Sequence, residues 1–172
     1  MSGLILPFEN TLPIIDPEVF IAHTAVVIGD VEIGKDSSIW YGCVVRGDVN
    51  VIRIGERTNI QDGTVVHVSS DGQGTYIGND VTIGHMALLH ACTLEDRTFI
   101  GMKACVMDGA VVEAGAMVAS GALVTPGKRV KTGEMWAGSP AKFRRNLTEN
   151  EMTGFAKTSP KYVQLAKKHI PL

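Results

Sequence analysis

The chain has 172 residues, the size of a single domain on the usual scale of roughly 100–200 residues. Sixteen Lys and Arg stand against eighteen Asp and Glu, a net charge of −2, so no positive excess is available to neutralise a phosphate backbone and a nucleic-acid partner is not expected. No run approaches the ~18–20 apolar residues of a membrane span and no signal-like segment opens the chain, which makes a soluble, cytoplasmic protein without membrane contact the expectation.

Apolar residues make 45% of the chain and aromatics only 6%; 19 Val and 14 Ile against 10 Leu favour strands over helices, and 19 Gly call for many turns. In chain order, the first ~20 residues, with Pro7, Pro13 and Pro17, suit a cover over an open end of sheet. A branched aliphatic then returns every sixth residue as Ile21, Val27, Ile33, Ile39 and Val45, again as Ile54, Ile60 and Val66, and again as Ile77, Ile83 and Leu89. A last series runs from Leu94 through Ile100, Val106, Val112, Val118 and Val124 to Val130. Each change of phase marks a loop or insertion. The fifth residue of most units is small or β-branched, including Cys43, Thr58, Thr64 and Ala104, and Gly often follows the aliphatic, as at Gly84 and Gly101.

A period of six fits neither a helix at 3.6 nor a two-faced strand at 2, but it fits short strands separated by tight corners. Three hexads close one triangular coil, and stacked coils bury only against their neighbours. The pattern resembles the left-handed parallel β-helix of hexapeptide-repeat proteins. The fold class expected is therefore mainly β, with residues 1–137 forming the β-helix and its N-terminal cover.

The repeat stops after Val130, and Gly138-Ser139-Pro140-Ala141-Lys142 reads as an exit loop. Residues 138–172 then form a helical segment packed on the prism. Thr148 and Glu151 have the spacing of a capping box, and Pro160 predicts a kink or a second helix from near Ser159, with Tyr162, Leu165 and Ala166 on one face. Lys142, Arg144, Arg145, Lys167 and Lys168 read as solvated surface. The three cysteines, Cys43, Cys92 and Cys105, include no C-x-x-C pair and read as buried thiols.

Histidine carries the chemical signal. His67, His85 and His90 fall within 24 residues, while His23 and His169 stand apart. His67 and His90 directly follow the repeat aliphatics Val66 and Leu89, so they occupy equivalent outward places on nearby coils. His85 lies five residues before His90, nearly a whole face of the prism, and points from a different side. All three meet only if a second subunit supplies His85, which three prisms packed about a three-fold axis allow. Three neutral imidazoles with one position left open for water are the ligand set of a catalytic zinc. The alternative is that the histidines pair across subunits without metal.

Arg46-Gly47-Asp48, then Asn59-Ile60-Gln61-Asp62-Gly63, His67, Ile77-Gly78, His85, His90 and Phe99-Ile100-Gly101-Met102 follow one another in an order that resembles the γ-class carbonic anhydrases. The likeness runs from Ile14 to Tyr162, and Gly138-Ser139-Pro140-Ala141-Lys142 with Tyr162 is similar to a short bacterial branch of carbonic-anhydrase-like proteins. The resemblance implies a homotrimer that hydrates CO2 reversibly to bicarbonate. His67 and His90 of one subunit and His85 of the next would hold Zn2+, or Fe2+ or Co2+ as in some family members. It also implies that Arg46 and Asp48 form an interface pair shaping the site, that Gln61 hydrogen-bonds the nucleophile and product, that Asn59 and Asp62 are polar neighbours, and that Tyr162 reaches the site from the helix. Read from the residues alone, Arg46 and Asp48 also suit a plain surface ion pair, Asn59 and Asp62 ordinary corners, Gln61 a solvated position and Tyr162 helix packing.

The chain departs from the best-characterised members in two places. Val49 stands where those carry a Glu after Arg-Gly-Asp, and Ser69-Ser70-Asp71-Gly72-Gln73-Gly74 is short, with one carboxylate, where they carry a longer acidic loop. Metal binding is unaffected by either change, but rapid proton transfer loses its usual groups, so weak activity is expected. Two other classes share the repeat. One is a hexapeptide-repeat acyltransferase, which needs a single histidine as base, and the other a non-catalytic metal-binding trimer that engages a protein partner.

Overall fold

The computed structural model describes residues 3–169. Hexad after hexad yields a strand of two or three residues followed by a corner, and the strands stack in parallel into a solenoid of about seven turns. One face runs through Phe20–Ile21, Ser38–Ile39, Asn59–Ile60, Thr82–Ile83, Phe99–Ile100, Met117–Val118 and Glu134–Ala137. A second stacks Val26 and Val27 on Val44 and Val45, then Val65–His67, Leu88–His90, Cys105–Val106 and Leu123–Val124. The third carries Ile33, Ile54, Ile77, Leu94, Val112 and Val130 in register.

Every repeat aliphatic points inward and is buried, with Ile39, Ile60, Ile83, Ile100, Val106, Val118 and Val124 fully excluded from solvent. These side chains form the single core cluster. The fifth-place residues Cys43, Thr58, Thr64, Ala104, Ala110 and Ala116 fill the tight corners beside them. Coils sit so close that a Cβ on Gly101 would lie 2.4 Å from the Ser120 backbone nitrogen of the next coil, which is why glycine follows the aliphatic there.

The changes of phase are structural events. Val45 and Ile54 lie on one long strand, Val44–Ile54, which stays in register through Gly47 and whose 48–51 stretch then bows out before rejoining the repeat at Ile52. A loop at Ser69–Gly74 separates Val66 from Ile77, and between Leu89 and Leu94 the corner is cut short at Ala91, which adopts φ +46°.

The two ends of the solenoid are built differently. Leu4–Leu6 pairs in parallel with Val26–Ile28 and Ile14–Ile15 with Glu32–Ile33, so the N-terminal residues add a partial coil. At the other end the repeat does not stop at Val130: Trp136 takes the next place above Val118. The exit is not followed directly by helix either, because Lys142–Asn146 folds back antiparallel on Glu134–Ala137. A wide aromatic concealed the last rung, and Phe143 opposite Trp136 makes the returning strand pair with it.

Two helices follow, α1 over Glu149–Ala156 and α2 over Thr158–His169. The Thr148 and Glu151 capping box forms, and Pro160 sits in the first turn of α2, where its missing N–H costs no helical bond. Helix α2 lies on Ser38–Ile39 and Asn59–Ile60. Phe155 stacks on Phe99 with centroids 4.4 Å apart, and Tyr162 meets Trp40 edge-on at 5.5 Å.

The three outer faces therefore differ in chemistry. The first is covered by helix. The third presents Glu32, Arg53, Tyr76, Thr93 and Arg129, with Arg53 paired to Asp30 and Glu32. The second presents Val26, Val44, Val65, Leu88, Cys105 and Leu123, an apolar strip on which Val65 and Leu88 are 37% and 38% exposed.

Candidate metal centre

His67 and His90 are register partners on adjacent strands of the second face, and both point outward because the preceding Val66 and Leu89 point in. Their ring centroids lie 5.2 Å apart at an interplanar angle of 53°. Asp48 approaches from the coil before, with Oδ1 3.0 Å from His67 Nε2 and Oδ2 bonded to Arg46 Nη1. Asp108 approaches from the coil after, with Oδ1 2.7 Å from His90 Nδ1. One edge of the prism thus carries a column in the order Asp48, His67, His90, Asp108. Burial alone would raise the Asp48 carboxyl, but hydrogen bonds from His67 and Arg46 outweigh it and hold the group below the usual carboxylate range.

His85 sits at the corner on the opposite side of the apolar face. Its Nδ1 lies 2.8 Å from Asp62 Oδ2. Beside it, buried Gln61 donates from Nε2 to Asn59 Oδ1 at 3.0 Å, and Asn59 donates from Nδ2 to Thr82 Oγ1 at 3.0 Å. Tyr162 is half-buried against Trp40, near enough to Asp62 for burial first and that carboxylate second to push its phenol pKa up.

The residues singled out by sequence thus fall into two groups. Arg46, Asp48, His67 and His90 gather at one edge, and Asn59, Gln61, Asp62, His85 and Tyr162 at the other. The six residues from His85 to His90 run along the face that separates these edges, five steps spanning at most about 18 Å of extended chain. Among the described residues, no three His, Cys, Asp or Glu side chains of one chain converge as a metal site.

The donor chemistry nonetheless fits a divalent cation. An ionised carboxylate only accepts hydrogen bonds, so in its neutral, metal-binding form each histidine would carry its proton on the nitrogen facing Asp48, Asp62 or Asp108. The second nitrogen of each ring then holds a lone pair and has no protein partner among the described residues. Neutral imidazoles tied back to carboxylates are the arrangement that metal-binding histidines adopt.

Sequence reasoning missed Asp108, although it lies one 18-residue coil beyond His90. It also left His23 and His169 apart, whereas the fold brings both to Tyr41. The His169 Nδ1 is 2.9 Å from the Tyr41 hydroxyl, and the His23 ring meets Tyr41 edge-on at 5.4 Å. Their convergence depends on where α2 ends, which no local spacing encodes.

A triangular parallel solenoid with a helical tail and carboxylate-bound outward histidines defines a hexapeptide-repeat protein of the carbonic-anhydrase-like kind. No protein-family model matches the chain. It is 52% identical over 162 residues to gamma carbonic anhydrase 1, mitochondrial, of Arabidopsis thaliana, covering 91% of this chain and 59% of that protein. It is 46% identical over 153 residues to the probable carbonic anhydrase of Methanocaldococcus jannaschii, covering 89% of this chain and 96% of that one. Among solved structures, a hexapeptide transferase family protein from Anaplasma phagocytophilum superposes with TM-score 0.94 at 50% identity, over 99% of this chain and 100% of the other. The chain belongs to the γ-class carbonic anhydrase-like family. It spans about three fifths of the plant relative's length, and no helix among the described residues is long and apolar enough to cross a membrane.

Proposed function

We propose that the protein is a homotrimeric, metal-dependent enzyme that hydrates CO2 reversibly to bicarbonate at sites built between subunits. One observation carries the reading: the two groups of site residues flank an apolar outer face, so a second copy packed on that face would bring His85 of one chain to His67 and His90 of another. Burying Val65, Leu88 and their neighbours supplies the driving force, at about 25 cal/mol per Å² of apolar surface removed from water. A divalent cation, Zn2+ foremost and Fe2+ or Co2+ as substitutes, supplies Lewis acidity that brings the ionisation of water toward neutral pH, to ~7 for zinc.

The chain's own residues do the rest. Gln61 has its amide nitrogen committed to Asn59, which fixes the orientation of the amide and leaves Oε1 as an acceptor for the O–H of nucleophile or product. Arg46 neutralises Asp48, and the two together hold His67. Tyr162 seals the helix side against Trp40. Proton release has no dedicated carboxylate, because Val49 is apolar and the 69–74 loop offers only Asp71. Turnover should therefore depend on external buffer.

The test is stopped-flow CO2 hydration on protein of known metal content, with light scattering for oligomeric state and His85→Ala as control. A trimer is expected whose activity rises with imidazole buffer concentration and whose His85→Ala variant loses metal. A monomer, or undiminished metal in His85→Ala, overturns the reading. A metal-free protein that binds coenzyme A would favour the acyltransferase class, for which a single histidine suffices. A metal-loaded trimer without hydration at any pH would favour a binding role toward a protein partner.

A further inference from the structure

The edge column contains one member that neither the sequence pattern nor the family comparison assigns. Asp48 has a role through Arg46 and His67, but Asp108 stands at the far end with its Oδ1 2.7 Å from His90 Nδ1. It is one coil beyond His90, and its side chain is 42% exposed. No arginine or lysine pairs with it among the described residues, so its one polar side-chain partner there is the His90 ring.

We infer that Asp108 is a positioning residue for His90, the second of two carboxylates that brace the histidine pair from opposite coils. This rests on the proposed metal site and deepens it. An imidazole has two tautomers and a free ring rotation about Cβ–Cγ. By accepting the proton of Nδ1, Asp108 selects the tautomer whose lone pair lies on Nε2 and holds the ring plane. Asp48 does the same for His67 through that ring's Nε2. The rigid 18-residue coil makes the brace effective: backbone bonds from Gly109 to Ala91 and from Gly127 to Asp108, 2.7 and 2.9 Å long, fix the corner from which the carboxylate projects. A ligand pair prepared in this way loses less ring freedom when a cation arrives. Removing such a partner typically costs about 10–100-fold in metal affinity.

The experiment compares the full-length wild type with Asp108→Ala and Asp108→Asn. Zinc affinity is read by competition with a chelator, and the His90 tautomer in metal-free protein by nitrogen-15 NMR of the ring. Wild type should show the Nδ1–H tautomer at His90. Asp108→Ala should release the ring to the Nε2–H form that solvent favours and weaken zinc about 10–100-fold. Asp108→Asn, which keeps an acceptor oxygen without the charge, should retain the tautomer and lose less affinity. A purely structural role would change stability but not the ring's proton position. The inference is overturned if both variants bind zinc as wild type does, or if the His90 tautomer is the same in all three proteins. Should Asp108→Ala fail to fold, Asp108→Asn decides: affinity equal to wild type overturns the brace. If instead wild type binds no zinc and His90→Ala changes nothing, it is the metal site itself that fails, a result distinct from every outcome above.

Discussion

At the scale of single residues, position within the hexad decides chemistry. Cys43 and Cys92 have the same side chain as any reactive cysteine, yet burial pushes their thiols up to about 11 and about 12, out of reach of ordinary thiolate chemistry. Cys105 stands instead at an outward place on the apolar strip, where burial pushes its thiol up more gently. In a thiol-reagent titration at pH 8, Cys43 and Cys92 should stay unmodified until the protein unfolds. The proposed trimer predicts that Cys105 reacts slowly in Leu88→Glu, whose charge would disrupt the apolar face, and is protected in the wild type. Glycine is under a different constraint. Gly101→Ala would place a methyl 2.4 Å from the Ser120 nitrogen, against backbone that cannot yield, and overpacking of this kind costs about 1–3 kcal/mol. Thermal denaturation should show a lower midpoint for Gly101→Ala, and a slightly higher one for Gly154→Ala, which has open space inside α1 where alanine is the better helix former by about 1 kcal/mol.

At the scale of elements, the strands were legible because each repeats one simple rule, an aliphatic in and a small residue at the corner. Two elements escaped that rule. Trp136 completes a rung with a side chain outside the Val/Ile/Leu alphabet, and Lys142–Asn146 is exposed throughout, so no buried face marks it as a strand. The capping box of α1, by contrast, was written in Thr148 and Glu151 and forms as expected. Its dependence on pH follows from the same residues. Hydrogen bonds from Arg145, then from the Thr148 backbone and hydroxyl, hold the Glu151 carboxyl at about 2, below the ordinary glutamate value near ~4.3. Because the folded value is the lower one, the contribution is fully present above the unfolded pKa and is lost as pH falls from ~4.3 toward 2. Circular dichroism should therefore register fraying of α1 over that window, and Glu151→Gln should remove most of the pH dependence.

At the scale of the molecule, the proposed function makes assembly part of the chemistry, because the candidate site residues are divided between two edges. A trimer reading predicts complementation: His85→Ala retains the His67 and His90 edge, and His90→Ala retains the His85 edge. Unfolded together in equal amounts and refolded, the two variants should recover about a quarter of the wild-type metal sites, whereas each refolded alone should recover none. Measured zinc per chain checks this, and absence of any recovery in the mixture would place all the ligands within one chain.

The sequence by itself determined the coil. A six-residue period of Val, Ile and Leu admits one economical arrangement, because only short strands around a triangular core bury every sixth side chain, and the outward step after Val66 and Leu89 already paired His67 with His90. What it left open was everything that depends on the phase between coils. That Asp108 meets His90 was decided by the shortened corner at Ala91, that Gln61 and Asn59 side with His85 by the insertion at residues 69–74, and that His23 and His169 meet Tyr41 by where α2 ends. Those offsets shift one coil against the next by one to five residues, and a hydrogen bond is too short-ranged to tolerate an error of that size.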